Sequence, residues 1–124
     1  FWRMNSLRME SQIVRDSLLY LASELDLTLG GPSVEIPQQD ASKRRSIYFF
    51  HSAIDRNKFL TTFDEADPLD CYRRRESIIP QQALALSNSK LAVSMADRIA
   101  SRLEKEVNAK DFAREAFTWL LGYA

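Results

Sequence analysis

Residues 89–107 read SKLAVSMADRIASRLEKEV, and the spacing of their apolar residues decides the fold class. Leu91, Met95, Ile99 and Leu103 fall four apart and form one face of a helix, while Lys90, Asp97, Arg98, Arg102 and Lys105 populate the polar side. Downstream, Asn108 or Asp111 is placed to cap a last helix by accepting hydrogen bonds from its free N–H groups. In that helix Ala113, Ala116, Phe117, Leu120 and Leu121 make one stripe, which Phe112, Trp119 and Tyr123 extend around the cylinder. A helix this apolar needs something to bury it. Upstream, Pro80 suits a first helical turn, where its missing N–H is not needed, and Ala83, Leu84 and Leu86 continue that short helix to Ser87-Asn88.

Towards the amino end, Val14, Leu18, Leu21 and Leu25 form a stripe at spacings of four, three and four, predicting a helix over 10–25. Ile13 and Ala22 flank the stripe, and Arg8, Arg15, Asp16 and Glu24 are assigned to polar positions around it. Leu29-Gly30-Gly31-Pro32 is where this helix is expected to have given way. Residues 33–43 are polar and read as an irregular connection. Arg45-Ser46-Ile47-Tyr48-Phe49-Phe50 is rich in β-branched and aromatic residues and reads as a short strand. Phe59, Leu60 and Phe63 suggest a short helix within 54–63. The expected fold is therefore mainly α: a single helical domain over 1–124, of about five helices with one short β element and an irregular charged loop.

Composition narrows the function classes. The chain has 124 residues, 45% of them hydrophobic, enough for a core without covalent staples. Basic and acidic residues number 17 each, so the net charge is zero, without the basic excess usual in a dedicated DNA-binding domain. One cysteine and one histidine exclude an internal disulfide and a structural zinc site of the usual kind. No apolar run approaches the roughly 20 residues that span a bilayer. The start at Phe1-Trp2-Arg3, without a Met, reads as a piece cut from a longer protein.

The densest chemistry lies in residues 64–77, DEADPLDCYRRRES. Asp64, Glu65, Asp67 and Asp70 offer hard oxygens, but Ala66 and Pro68 stand where a calcium loop needs ligands, so an acidic turn is favoured. Arg73, Arg74 and Arg75 present forks suited to carboxylate, sulfate or phosphate. In extended backbone three consecutive residues alternate sides, so they cannot all serve one pocket. At least one is expected to pair with Asp70 or Glu76, making the loop a structural clasp pinned by a buried arginine, with a weak anion contact as the other use. Cys71 as a nucleophile needs a base, and nothing in the sequence brings His51 to it. Lys43-Arg44-Arg45 is a second basic run. Gln81, Gln82 and Asn88 bracket a short helix, where ligand orientation and loop bonding explain them equally well. Trp119 and Tyr123 offer stacking faces that at helical spacing more often serve a core or a domain interface.

Three segments together carry a resemblance: FWRMNSLRMESQIVRDSLLYLASELDLTLGGPSV, then RRSIYFF, then FDEADPLDCYRRRESIIPQQALALSNS. They resemble the C-terminal domain of unknown function of large exported planctomycete-type proteins that carry an N-terminal planctomycete cytochrome c domain. The most specific block runs from Cys71-x-Arg73-Arg74 to Pro80-x-Gln82-Ala83-Leu84. His51-Ser52-Ala53-Ile54-Asp55 departs from the family's usual Pro-containing segment after the strand. The resemblance implies an exported setting, periplasmic or at the cell surface, with other domains of the parent as partners. It transfers no catalytic residue and no cofactor, and the haem-attachment pattern C-x-x-C-H is absent here.

Together these observations predict a non-catalytic interaction or scaffold module, without metal, nucleic acid or membrane span. The competing expectation is part of an enzyme or binding domain acting on acidic or sulfated polysaccharides, with Arg73, Arg74 or Arg75 on the anion and Asp64, Asp67 or Asp70 in acid–base work.

Overall fold

The computed structural model describes residues 8–70, 77–106, 108 and 110–122. Its described residues are mainly helical, with no sheet. The six helices are α1 (Ser11–Leu21), α2 (Ile36–Gln39), α3 (Lys58–Thr62), α4 (Pro80–Asn88), α5 (Lys90–Glu106) and α6 (Phe112–Leu121). α1 is central, packing on α3, on α5 and on a 3₁₀ turn at Ser46–Tyr48; α4 joins α3 to α5, and α6 packs on α5.

α5 follows its sequence pattern. Met95, Ile99 and Leu103 are buried together with Ala92, which replaces Leu91 at the start of the inward face. Ser89 stops α4 in extended backbone and caps α5, its Oγ accepting from the Ala92 N–H at 3.1 Å. Pro80 occupies the first turn of α4 as expected. Asp111 does not cap α6 with its side chain; its carboxylate lies 3.1 Å from Arg114 instead.

α1 is shorter than its apolar pattern predicts and turns a different face inward. Its buried residues are Ser11, Arg15 and Leu19, one every four positions, so Arg15 is interior and not on the polar surface. The helix ends at Leu21 because Ser23 takes a left-handed conformation (φ 57°). The Glu24 N–H then reaches Leu19 O at 2.8 Å, and the Ser23 N–H reaches Tyr20 O at 2.9 Å, the paired bonds of a Schellman close. Asp64 (φ 60°) closes α3 in the same way, with Glu65 N–H to Leu60 O at 3.1 Å and Asp64 N–H to Thr61 O at 3.3 Å. Gly30 and Gly31 serve a different purpose, at φ 77° and 93°. The Arg44 guanidinium donates to Gly30 O and Pro32 O, and a Cβ on Gly31 would lie 3.5 Å from it.

The expected strand at 45–50 is a 3₁₀ turn flanked by two isolated parallel bridges, Asp26↔Arg44 and Val34↔Phe49. The buried side chains are Ser46 and Phe49, three apart, which is the 3₁₀ repeat; a strand would bury every second residue. Val34 and Phe49 meet Leu60, with Phe59 against them, to form the apolar centre. Asn57 caps α3, its Oδ1 accepting from the Leu60 N–H at 3.1 Å.

Candidate functional site

The interior holds a polar clasp that the sequence does not advertise. Arg15, only 2% exposed, donates from Nη1 to Arg44 O at 3.0 Å and Ser46 Oγ at 3.2 Å, and from Nη2 to Gln39 O at 3.4 Å and to Ser42 O. Its guanidinium also stacks 4.5 Å from the centre of the Phe49 ring. Asp16 holds the same turn from the next position, accepting from the Ser46 N–H at 2.9 Å and the Ser46 hydroxyl at 2.6 Å. Burial pushes the Arg15 guanidinium below its ordinary value, and the neighbouring Asp16 carboxylate offsets part of that. The buried Gln39 amide completes the clasp, donating to Val34 O at 3.2 Å and Phe50 O at 2.8 Å. The Arg15 Nη groups, the Asp16 carboxylate and the Gln39 amide nitrogen all meet partners within the chain, so the clasp is structural.

The carboxylates of the charged loop diverge to separate partners. Asp64 accepts from the Ser77 N–H at 2.9 Å, the Ser77 hydroxyl at 2.7 Å and Gln82 Nε2 at 3.4 Å, and lies 3.3 Å from Arg8. Partial burial pushes this carboxyl up, but the Ser77 bonds, Arg8 and Gln82 together hold it below its ordinary value. Gln82 is thereby fixed by loop bonding. Asp67 meets Arg56 at 2.9 Å and accepts from the Leu69 N–H at 2.9 Å, while Asp70 is exposed. Among the described residues no three His, Cys, Asp or Glu side chains gather as a metal site would require. Cys71, Arg73, Arg74, Arg75 and Glu76 lie outside the described residues, as does Tyr123.

Glu65 turns the other way. Its side chain is 5% exposed, and its Oε1 lies 2.7 Å from Nδ1 of the half-exposed His51. That carboxylate fixes the imidazole's orientation. His51 lines a groove of about 740 Å³ along α1. Ile13, Ser17 and Tyr20 line it from α1, and Leu27, Arg45 and Ile47 from the segments that follow. Tyr20 and Leu27 also border a second cavity of about 540 Å³ that reaches Arg102 and Trp119. The Arg102 guanidinium lies 4.5 Å from the centre of the Trp119 ring and donates to Ser23 Oγ, so Trp119 joins α6 to the end of α1.

The second basic run divides. Lys43 pairs with Glu24, which also receives Arg98 of α5, and the Lys43 bond leads in holding the Glu24 carboxyl low. Arg44 grips the Gly30–Pro32 backbone and stacks on Tyr48. Arg45 alone of the three is turned to the groove, and it meets no partner among the described residues. Sequence reading put Arg15 on the polar surface, took Glu65 only as a calcium oxygen and missed Gln39; the available signal was an arginine beside the α1 apolar stripe.

No helix among the described residues is long and apolar enough to cross a membrane. No curated protein and no solved structure matches the chain. The model of one family matches residues 1–123, in keeping with the expected resemblance. The chain belongs to PSD1, a family described as protein of unknown function (DUF1553) and known as the planctomycete cytochrome c-associated domain.

Proposed function

We propose that this domain is a non-catalytic interaction module of a larger exported protein, docking on neighbouring domains of the same polypeptide. The observation that carries this is α6. None of its residues is buried, and Phe117 is 61% exposed, with Leu120 and Leu121 beside it on the same stripe. Contiguous apolar surface of this kind marks a contact face in a folded protein. The family's association with cytochrome c domains supplies neighbours for that face.

The competing polysaccharide reading draws on Arg73, Arg74 and Arg75, outside the described residues. The guanidinium groups of Arg15, Arg44, Arg56 and Arg98 are engaged within the chain.

Hydrogen exchange on α6 tests the proposal, comparing this chain alone with the full-length parent. Docking slows α6 amides in the parent relative to the isolated chain. Equal exchange in the two overturns the proposal.

A further inference from the structure

We infer that the groove along α1 is a docking site for an extended peptide segment carrying an acidic side chain between apolar ones, with Arg45 as its charge contact. The inference rests on the interaction-module reading but uses a surface separate from α6.

Three observations carry it. The first is shape. Glu10 and Tyr20 both line the groove, and ten residues of helix rise about 15 Å. A volume of about 740 Å³ over that length gives a mean cross-section of about 50 Å². An extended chain occupies about 5 by 10 Å, close to that section, so the groove seats one along its length. The groove therefore fits four or five extended residues at about 3.3 Å each.

The second is surface chemistry. Ile13, Tyr20, Leu27 and Ile47 are large apolar side chains that stay exposed around the groove, Ile47 at 68%. Sugar hydroxyls laid against Ile13, Leu27 and Ile47 would lose water without gaining hydrogen bonds there. Alternating apolar side chains of a peptide would pack against them.

The third is charge. Asp16 on the helical wall is engaged by Ser46 and Arg15, and His51 by Glu65. Glu10 has an interaction of its own. The charge left over is the Arg45 guanidinium, exposed and without a partner among the described residues. Its planar fork suits a carboxylate.

Selection of random heptapeptides displayed on phage against this chain, with counter-selection on Arg45→Glu, tests the inference. Enriched peptides should carry Asp or Glu flanked by apolar residues. By fluorescence anisotropy they should bind Arg45→Glu roughly tenfold more weakly, the loss of one charge-assisted hydrogen bond. In ¹⁵N-labelled protein they should shift the amides of Ile13, Tyr20 and Ile47. Ile47→Asp, also exposed, should weaken the same peptides and keeps the test decisive if Arg45→Glu misfolds. Failure to enrich any peptide overturns the inference, as do peptides without an acidic residue or equal binding to wild type and variants. So does a sulfated tetrasaccharide that perturbs the same amides more tightly than any selected peptide. None of these failures alters hydrogen exchange in α6, so the module reading stands or falls separately.

Discussion

Replacing Arg15 by Met should destabilise the domain by about 2–4 kcal/mol. Met fills the aliphatic volume of the arginine stem but donates nothing, which leaves Gln39 O, Ser42 O, Arg44 O and Ser46 Oγ without the guanidinium. Ser42 and Arg44 are half-buried, so water can reach their carbonyls, whereas Gln39 and Ser46 are sealed. Gln39 O keeps the Ser42 N–H at 3.3 Å and the Ser46 hydroxyl keeps Asp16, so two lost charge-assisted bonds at about 1.5 kcal/mol each set the scale, and the lost stacking on Phe49 adds about 1 kcal/mol. Relief from holding a cation in the interior, the cause of Arg15's lowered pKa, returns part of this. For a domain of this size the loss corresponds to a fall in Tm of roughly 8–15 °C. Against a total of about 5–15 kcal/mol it is large but survivable. Urea unfolding followed by far-ultraviolet circular dichroism measures it, with an unchanged slope showing that the unfolded state is the same. Arg15→Lys keeps the charge but loses the fork, and should recover less than half of the deficit. A cost below about 1 kcal/mol for Arg15→Met, or a lysine variant as stable as wild type, would refute the clasp.

Asp64→Asn should cost about 1–2 kcal/mol at pH 7 by weakening the bonds from Ser77. The folded Asp64 carboxyl titrates below its ordinary 3.8, so its contribution is present above that value and is lost as the pH falls through the folded-state value. The gap between wild type and Asp64→Asn should accordingly close in acid, which urea midpoints on either side of pH 4 would show. Ser89→Ala removes the cap of α5 and should cost about 1 kcal/mol in the same assay. Leu60→Ala, at a fully buried position, should cost about 2–5 kcal/mol, whereas Phe117→Ser on α6 should cost less than about 0.5 kcal/mol while removing α6 protection in the parent. A large cost at Phe117 would mean that α6 is already buried in the domain itself.

The helices whose stability comes from one apolar stripe were legible. Met95, Ile99 and Leu103 repeat every four residues and are all buried, and Pro80 marks the start of α4. What pattern could not reveal was structure set by backbone conformation and by polar groups inside. Ser23 ends α1 in a conformation usually given to glycine, whereas pattern alone points to Gly30-Gly31 as the stop. Ile47, Tyr48 and Phe50 favour a strand by composition, yet the bonds of Arg15 and Asp16 to Ser46 hold a 3₁₀ turn there. The expectation that a buried arginine would pin a charged loop named Arg73–Arg75, outside the described residues; in the described part Arg15 pins residues 39–46. Glu65 was weighed only as a calcium oxygen. Its approach to His51 depends on the sharp close of α3, which no spacing in the sequence encodes.

The clasp also has an evolutionary asymmetry. Three of Arg15's acceptors are main-chain carbonyls, those of Gln39, Ser42 and Arg44, which any residue type at those positions supplies equally. The bonds to 42 and 44 therefore do not depend on the side chains there, although Arg44 is held by its own grip on Gly30 and Pro32, whereas the donor is written in a single codon. Across the family, position 15 should be among the least variable sites of α1, and position 42, which meets it only through a carbonyl, should vary more than positions 39 and 46, whose side chains are bound into the clasp.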